Sequence, residues 1–495
     1  MLGIMAARSA MVSTRSADQT AGPVELWSLR EDVLVEDGLD RDRLVVVSRW
    51  GEIVIDGADP LVRESLGRMS LGPISLENVR AGAKNILEWA NVHRVLAQLS
   101  GSVVRSLNLP DEGLLLSAVP VTRHATLDLV DVGRTLPLRL SRFAALRTEG
   151  AELVVESPLS EYHVVLHQQL ACHVVTALSG VSSIERILEL VRAGPAVVAS
   201  LVRYLVATGV VLVGEWVPGL DSPAKARFAE DSDPTLQRWS HHELLFHSRS
   251  RMGRFGGQTG AVFPHADALP SPELVKPVRS GRTYALYRPP MADVIASDPP
   301  LTQVIENAGW PAELTDRQLT GEQVGELLYR AARIRSVQSE AAPTDVRYAT
   351  SDRPYLSSYG LHELELYVSV HNCADLPRGT YHYDPQRHTL TLVNDSPAEL
   401  EELMASARVA AKTTSQPPLL ITMTARVARS SWMFGGIGYY LTLTHIGALQ
   451  QVLCLVANSM GLAACAPAVD PGDVTDTALR LDWPAEVGVG EFIVG

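Results

Sequence analysis

Between Ile437 and Leu462 the chain carries its longest apolar run, and what that run can become limits the fold of the region around it. By length it would cross a bilayer, yet His445, Gln450, Gln451 and Asn458 interrupt its interior. Polar side chains at membrane depth are costly unless they find partners, so the run reads as a long helix buried in a globular core. Such a helix needs a sheet or other helices packed around it. The chain has the material for this, with 495 residues and 46% hydrophobic content, room for about three domains by length.

The charge balance narrows the partners. Lys+Arg number 43 against Asp+Glu 56, a net charge of −13, which opposes a phosphate backbone and offers no basic stripe, so nucleic acid is excluded. Cys172, Cys373, Cys454 and Cys465 are widely spaced with no CxxC pair, so neither a disulfide framework nor a zinc site is expected, and a reducing cytoplasm suits them. Residues 1–22 are small and polar without the apolar core of a signal peptide and read as a disordered start. His241-His242-Glu243-Leu244-Leu245-Phe246-His247 has the look of a metalloprotease HExxH. Its last His falls five residues after His242 instead of four, off the shared helix face, so no metal is expected.

Along the chain, RLVVVSRWGEIVIDG reads as an extended pair, followed by periodic helices such as ILEWANVHRVLAQLSGSVV. A similar order recurs from Leu138. LRLSRFAALRTEGAELVVES gives two strands around Glu149-Gly150, and YHVVLHQQLACHVVTAL, SSIERILELV and PAVVASLVRYLVATGVV read as helices. Either two related modules stand in tandem, residues 23–137 and 138–216, or one α+β scaffold repeats its grammar by chance. The Pro, Asp, Ser and Ala-rich stretch 217–237 reads as a linker and the main boundary, and the proline-rich 256–278 as an extended segment lying over a neighbouring surface, the two together filling 217–280. Residues 281–495 mix helices and strands in the α+β manner. Thr320-Gly321-Glu322-Gln323 is a capping box opening a helix with Val324, Leu327, Leu328, Ala331 and Ile334 on one face. LHELELYVSV, GTYHYDPQRHTLTLV, PPLLITMTARV and GVGEFIVG read as strands.

Several of these stretches in register resemble the SagB-type, or thiazole/oxazole, dehydrogenases of the nitroreductase-fold flavoproteins. They are WSHHELLFHSRSRMGR, DPPLTQVIE with LTGEQVGELLYRAARIR, RPYLSSYGLHELELY, YHYDPQRHTL, GYYLTLTHIGALQQVLCLVANSMGLAACA and GEFIVG. The resemblance implies an α+β chain whose C-terminal nitroreductase-like domain follows tandem winged-helix-like modules. In that family FMN lies at a homodimeric or heterodimeric interface and oxidises peptide azolines to thiazoles or oxazoles, while the winged-helix elements hold a precursor's leader peptide and a cyclodehydratase is a further partner.

At the sites that the resemblance points to, this chain departs from the family. Phosphate is best held by the bidentate fork of Arg, but where the family carries Arg, Ser and Arg after a Glu, the residues after Glu306 are Ala308, Trp310 and Ala312. The remaining candidate cofactor contacts are Arg353, Ser357, Ser358 and Gln451, with Arg333, Arg335, Arg347 and Lys412 as further cations. The family's Pro-Ser-Gly-Gly ring loop reads Leu356-Ser357-Ser358-Tyr359, a bulky ring in a glycine's place, and the glycine-rich turn after Cys465 reads Ala466-Pro467-Ala468-Val469-Asp470. The catalytic Lys-Tyr pair after a tryptophan is replaced by Met433 and Phe434, which cannot move a proton; Tyr439, Tyr440 and His445 are the candidate stand-ins. These departures imply a degenerate subunit that binds precursor peptide and supports an active FMN dehydrogenase. The alternative is an FMN-dependent azoline dehydrogenase with substituted residues.

Overall fold

The computed structural model describes residues 22–38, 40, 43–110, 112–217, 226–251, 253–255, 257–277, 280–307, 314, 316–343, 346–467 and 472–495. The chain divides into two compact units, Met1–Gly256 and Gly257–Gly495.

The N-terminal unit is built on a six-stranded antiparallel sheet in the order Val24–Leu29, Val103–Leu109, Gly113–Pro120, Tyr162–Leu166, Glu152–Glu156, Ala145–Glu149. Three of these strands come from before residue 137 and three from after it. The first set is interrupted by a three-stranded sheet, Leu34–Asp37, Arg43–Ser48 and Gly51–Asp56, and the helices Pro60–Leu71, Leu76–Gly82 and Ile86–Gln98. The second set is followed by Gln169–Ala177, Ile184–Leu190 and Pro195–Ala207. Each half thus gives three strands and three helices, but the shared sheet joins them through Tyr162–Leu166 on Gly113–Pro120, so 23–137 and 138–216 are not separate bodies. Tyr162–Leu166 had been read as the start of a helix. Its β-branched valines, paired with strands on both sides, make it a central strand, and the helix begins only at Gln169.

The expected main boundary at 217–237 is displaced to Gly256. Glu230 is buried and accepts hydrogen bonds from the Ser141 hydroxyl and from the Arg142 amide at 2.8 Å. Arg249, at the end of the helix His241–Arg249, donates to the Ser157 carbonyl at 3.2 Å and pairs with Glu156 at 3.1 Å. These contacts fasten the region after 226 to the N-terminal unit. In the same helix Glu243 closes a capping box with Ser240, which is the work its carboxylate does.

The C-terminal unit has a seven-stranded antiparallel sheet in the order Thr283–Ala285, Thr389–Asn394, Gly379–Asp384, Leu364–Val370, Leu419–Arg426, Glu486–Val494, Ala464–Cys465. Every residue of the central strand Leu364–Val370 is buried, so both faces are covered. Leu364, Leu366, Val368 and Val370 pack with the helix Gly321–Ala332 and with Gly438–Ser459, the long helix of the apolar run. That helix is long and apolar enough to cross a membrane, but Thr442, His445, Ile446, Leu449, Leu453 and Ala457 are buried in the core. Gly490 lets it lie close: a Cβ there would sit 2.9 Å from Ile446. The capping box forms, the Thr320 hydroxyl accepting from the Gln323 amide at 3.1 Å and the Gln323 side chain from the Thr320 amide at 3.0 Å. The sheet's other face packs Tyr367, Leu420 and Ile493 with the helices Pro397–Ala410 and Asp473–Leu479. Residues 260–277 lie along this unit, Gly260–Ala261 pairing with Phe434–Gly435, residues 264–268 forming turns, and Lys276 bonding to Tyr367 and Glu486.

Candidate functional site

The strand Leu419–Arg426, next to the central one, runs directly into the short helix Val427–Met433, and this junction buries Arg429 at 2% exposure. A guanidinium in such a place must spend its donors on the protein. Arg429 does so on carbonyls alone: Leu361 (3.0 Å from Nε, 2.5 Å from Nη2), Pro272 and Glu273 (3.0 Å each from Nη1) and Ala349 (3.1 Å from Nη2). Because Ala349 and Leu361 flank the loop 353–360, Arg429 holds that loop at both ends.

Beside the loop lies a cavity of about 710 Å³ whose walls include Arg335, Arg353, Tyr355, Ser357, Tyr359 and His362. Arg353 is buried and donates from Nε to the Ser351 hydroxyl at 3.2 Å. Arg335 pairs with Asp352 at 2.6 Å. His362 is buried at φ 47°, stacks edge-on against Tyr355 at 4.8 Å, and its Nδ1 has no hydrogen-bond partner among the described residues. Burial, with Arg353, His445 and Arg429 nearby, pushes the His362 imidazole down to about 2. Burial pushes the Tyr355 phenol up to about 12. General acid–base groups work best with proton affinities near the operating pH. This pair therefore offers a neutral acceptor and a neutral phenol beside a cation: groups that bind and orient, not groups that shuttle protons at pH 7.

Of the residues singled out in the sequence, Arg335, Arg353, Leu356, Ser357 and Tyr359 line this cavity. The Ser357 hydroxyl already accepts from the His362 amide at 2.9 Å. Ser358 turns inward, its amide donating to His445 Nε2 at 2.8 Å with its hydroxyl 3.1 Å from the same nitrogen. His445 Nδ1 lies 2.8 Å from Glu363, so both ring nitrogens are committed and His445 is a positioning residue for the loop, not a stand-in base. Tyr439 and Tyr440 are half-exposed at the start of the long helix, Gln451 is exposed further along it, and none of the three lines the cavity. Met433 and Phe434 are buried with Leu361 and Trp432 in an apolar cluster. Tyr359 takes the left-handed conformation a glycine would favour, at φ 56°, and its ring is 69% exposed, 5.9 Å from Phe434. Ala308, Trp310 and Ala312 lie outside the described residues, as do Ala468, Val469 and Asp470.

His362, Tyr355, Glu363 and Arg429 were not singled out in the sequence. A signal was present in LHELELY, where Glu363 and Glu365 sit among residues of a strand that is otherwise all core. Glu365 is buried against His382 at 2.9 Å and Arg426 at 2.9 Å.

Among the described residues the fit to FMN is partial. The cavity gives a flat ring a wall, an acceptor and a cation, but Arg335 and Arg353 are balanced there by Glu340 and Asp352, which does not suit a doubly charged phosphate. The loop amides of Ser358, Gly360, Leu361 and His362 are all spent internally.

With this geometry in view, two family descriptions match the chain: cyanobactin oxidase ThcOx over residues 138–256 and the nitroreductase family over residues 313–495. The C-terminal unit is a nitroreductase-family domain. Joined to the ThcOx-type segment, it gives the chain the organisation of the SagB-type dehydrogenases that its motifs resemble. A nitroreductase of Methanocaldococcus jannaschii is 26% identical over 124 residues, 25% of this chain, and the chain spans 60% of that relative's length. Among solved structures, a nitroreductase from Ralstonia eutropha is 21% identical with a TM-score of 0.34, over 48% of this chain and 97% of its own. The E. coli microcin synthetase complex with truncated pro-MccB17 bound is 17% identical with a TM-score of 0.32, over 50% and 90%. Nitroreductase-family proteins typically use FMN, and a nitroreductase from Desulfovibrio desulfuricans, 14% identical over 40% and 86% with a TM-score of 0.25, is solved in complex with it.

Proposed function

We propose that this chain serves azoline-to-azole oxidation in the cytoplasmic biosynthesis of ribosomal peptide natural products as a peptide-binding subunit that supports an FMN-bearing dehydrogenase. The match to a cyanobactin oxidase beside a nitroreductase domain supports the pathway. The observation that carries the non-catalytic part is the state of the loop. The amides of Ser358, Gly360, Leu361 and His362 are bonded internally, His445 is locked between Ser358 and Glu363, and the buried titratable groups of the cavity, His362 and Tyr355, titrate far from pH 7. A second reading, an FMN-dependent azoline dehydrogenase in its own right, is favoured by the cavity itself, which is of ligand size and keeps Arg353 and the His362 acceptor in its wall.

The peptide partner fits the three-stranded sheet of the N-terminal unit. Gly51–Asp56 is its edge strand, paired on one side with Arg43–Ser48, and an extended leader peptide adds to such an edge. Side chains of the helix Ile86–Gln98 reach carbonyls of that strand, Arg94 to Asp56 at 3.2 Å and Gln98 to Val54 at 3.5 Å, and an added peptide strand would compete with them. A dimer, with a second copy or with the active dehydrogenase, suits the exposed Tyr439, Tyr440 and Leu443 on the long helix, and a cyclodehydratase completes the assembly. The test is to incubate the purified chain with FMN and a synthetic thiazoline peptide. The peptide mass is expected to stay unchanged; loss of two hydrogens would establish the second reading instead.

A further inference from the structure

The N-terminal unit holds a second cavity, of about 720 Å³, against one face of the six-stranded sheet. Three adjacent strands bring a serine, a histidine and a glutamate together in its wall. Ser117 stands opposite Val165, and His167, two residues beyond Val165, emerges on the same face. Leu166 pairs with Leu153, which puts Glu152 beside His167. The Ser117 hydroxyl lies 2.8 Å from His167 Nε2, and His167 Nδ1 lies 2.8 Å from Glu152. An ionised carboxylate only accepts, so it takes the Nδ1 proton and leaves Nε2 as the acceptor for the serine O–H. The Ser106 hydroxyl, 2.7 Å from that of Ser117, can then donate to the serine oxygen without competing for the imidazole. Val104, Val119, Val154 and Val165 give the sheet side of the cavity an apolar patch, Arg30, Asp32 and Arg49 line another part of it, and the volume suits a small ligand.

We propose that Ser117, His167 and Glu152 form a base-activated acyl-acceptor site for a small ester or thioester with an apolar acyl group. The bond formed joins Ser117 Oγ to the acyl carbon while the hydroxyl proton moves to His167 Nε2. The bond broken joins the acyl carbon to the alcohol or thiol, which leaves with that proton. Water repeats the exchange in reverse, releasing the carboxylic acid and restoring the serine. Glu152 holds the imidazole in the required tautomer and steadies it while charged.

The experiment treats the full chain with a fluorophosphonate probe and locates the adduct by peptide mass spectrometry. An adduct on Ser117 is expected, lost in S117A and formed about 10²–10⁴-fold more slowly in H167Q. E152Q is expected to slow it by less. The wild-type labelling rate should depend on pH and that of H167Q should not, a readout that a structural role for the histidine would leave unmoved. Circular dichroism checks that each variant folds. Protection of the wild type by 4-nitrophenyl butyrate, itself an apolar ester, tests the substrate class without any variant. An unlabelled Ser117 in folded wild type, an unchanged rate in folded H167Q, or no protection by the ester would each overturn the proposal.

Discussion

The two units each contain a chain of serine, histidine and glutamate joined through the same atoms, and they put it to opposite uses. In the C-terminal unit Ser358, His445 and Glu363 are linked at 3.1 and 2.8 Å, with His445 and Glu363 all but sealed from solvent. The Ser358 backbone amide also donates to His445 Nε2, at 2.8 Å, and an amide has no other proton to offer and no choice of role. The imidazole lone pair is spent on holding a loop. In the N-terminal unit Ser117, His167 and Glu152 have the same connectivity at 2.8 and 2.8 Å, but the hydrogen bond to His167 Nε2 comes from the serine hydroxyl and the group faces a cavity. A histidine beside a carboxylate is thus a base or a strut according to what else claims its second nitrogen.

The sharpest way to break this contrast is to swap the histidines in the labelling experiment. H167Q should lose about 10²–10⁴-fold in the rate of Ser117 modification, and H445Q should lose none. Stability should show the reverse order. H445L leaves Glu363 as a buried carboxylate without its partner and should cost about 3–5 kcal/mol in urea unfolding, and R429M, which removes the guanidinium hydrogen bonds to four carbonyls, a similar amount. E152Q, at a half-exposed carboxylate, should cost about 0–1 kcal/mol.

Acid separates the units more gently. His362 is held at about 2 against an ordinary 6.5, so the unfolded chain takes up a proton that the folded one refuses as pH falls below 6.5. The C-terminal unit should begin to lose stability there and go on losing it toward pH 2. Glu156, in the N-terminal unit, is held at about 2 against an ordinary 4.5 by His163, Arg249 and Arg147. Its contribution is complete above pH 4.5 and is lost as pH falls through 2. Urea titrations across this range should show the slope of H362Q flattened below pH 6.5 and that of E156Q only below 4.5.

The C-terminal unit was largely legible in the sequence because its signals are local. The capping box at Thr320, the alternation in Leu364–Val370 and the apolar face of the long helix each follow from residues close together in the chain. The N-terminal unit was not, because its sheet joins residues up to 84 apart in number, as Val24 with Asn108. Tyr162–Leu166 carries helix-like spacing into Gln169–Ala177, and only the neighbouring strands make it extended. The triad was hidden for the same reason: Glu152 and Ser117 lie on two strands and His167 just past the end of the strand between them, a pairing no short window reveals. At the candidate site the sequence pointed to Arg335, Arg353, Ser357 and Tyr359, while His362 and Arg429 gained meaning only when the loop they flank was seen folded back on itself.

The most direct test of the central proposal is the visible absorbance spectrum of the purified chain before and after adding FMN and removing the excess. The expected result is a colourless protein that retains no flavin, as a loop whose Ser358, Gly360, Leu361 and His362 amides are already bonded would leave it. A yellow protein carrying FMN at one equivalent per chain would contradict the supporting-subunit role and make this chain the dehydrogenase.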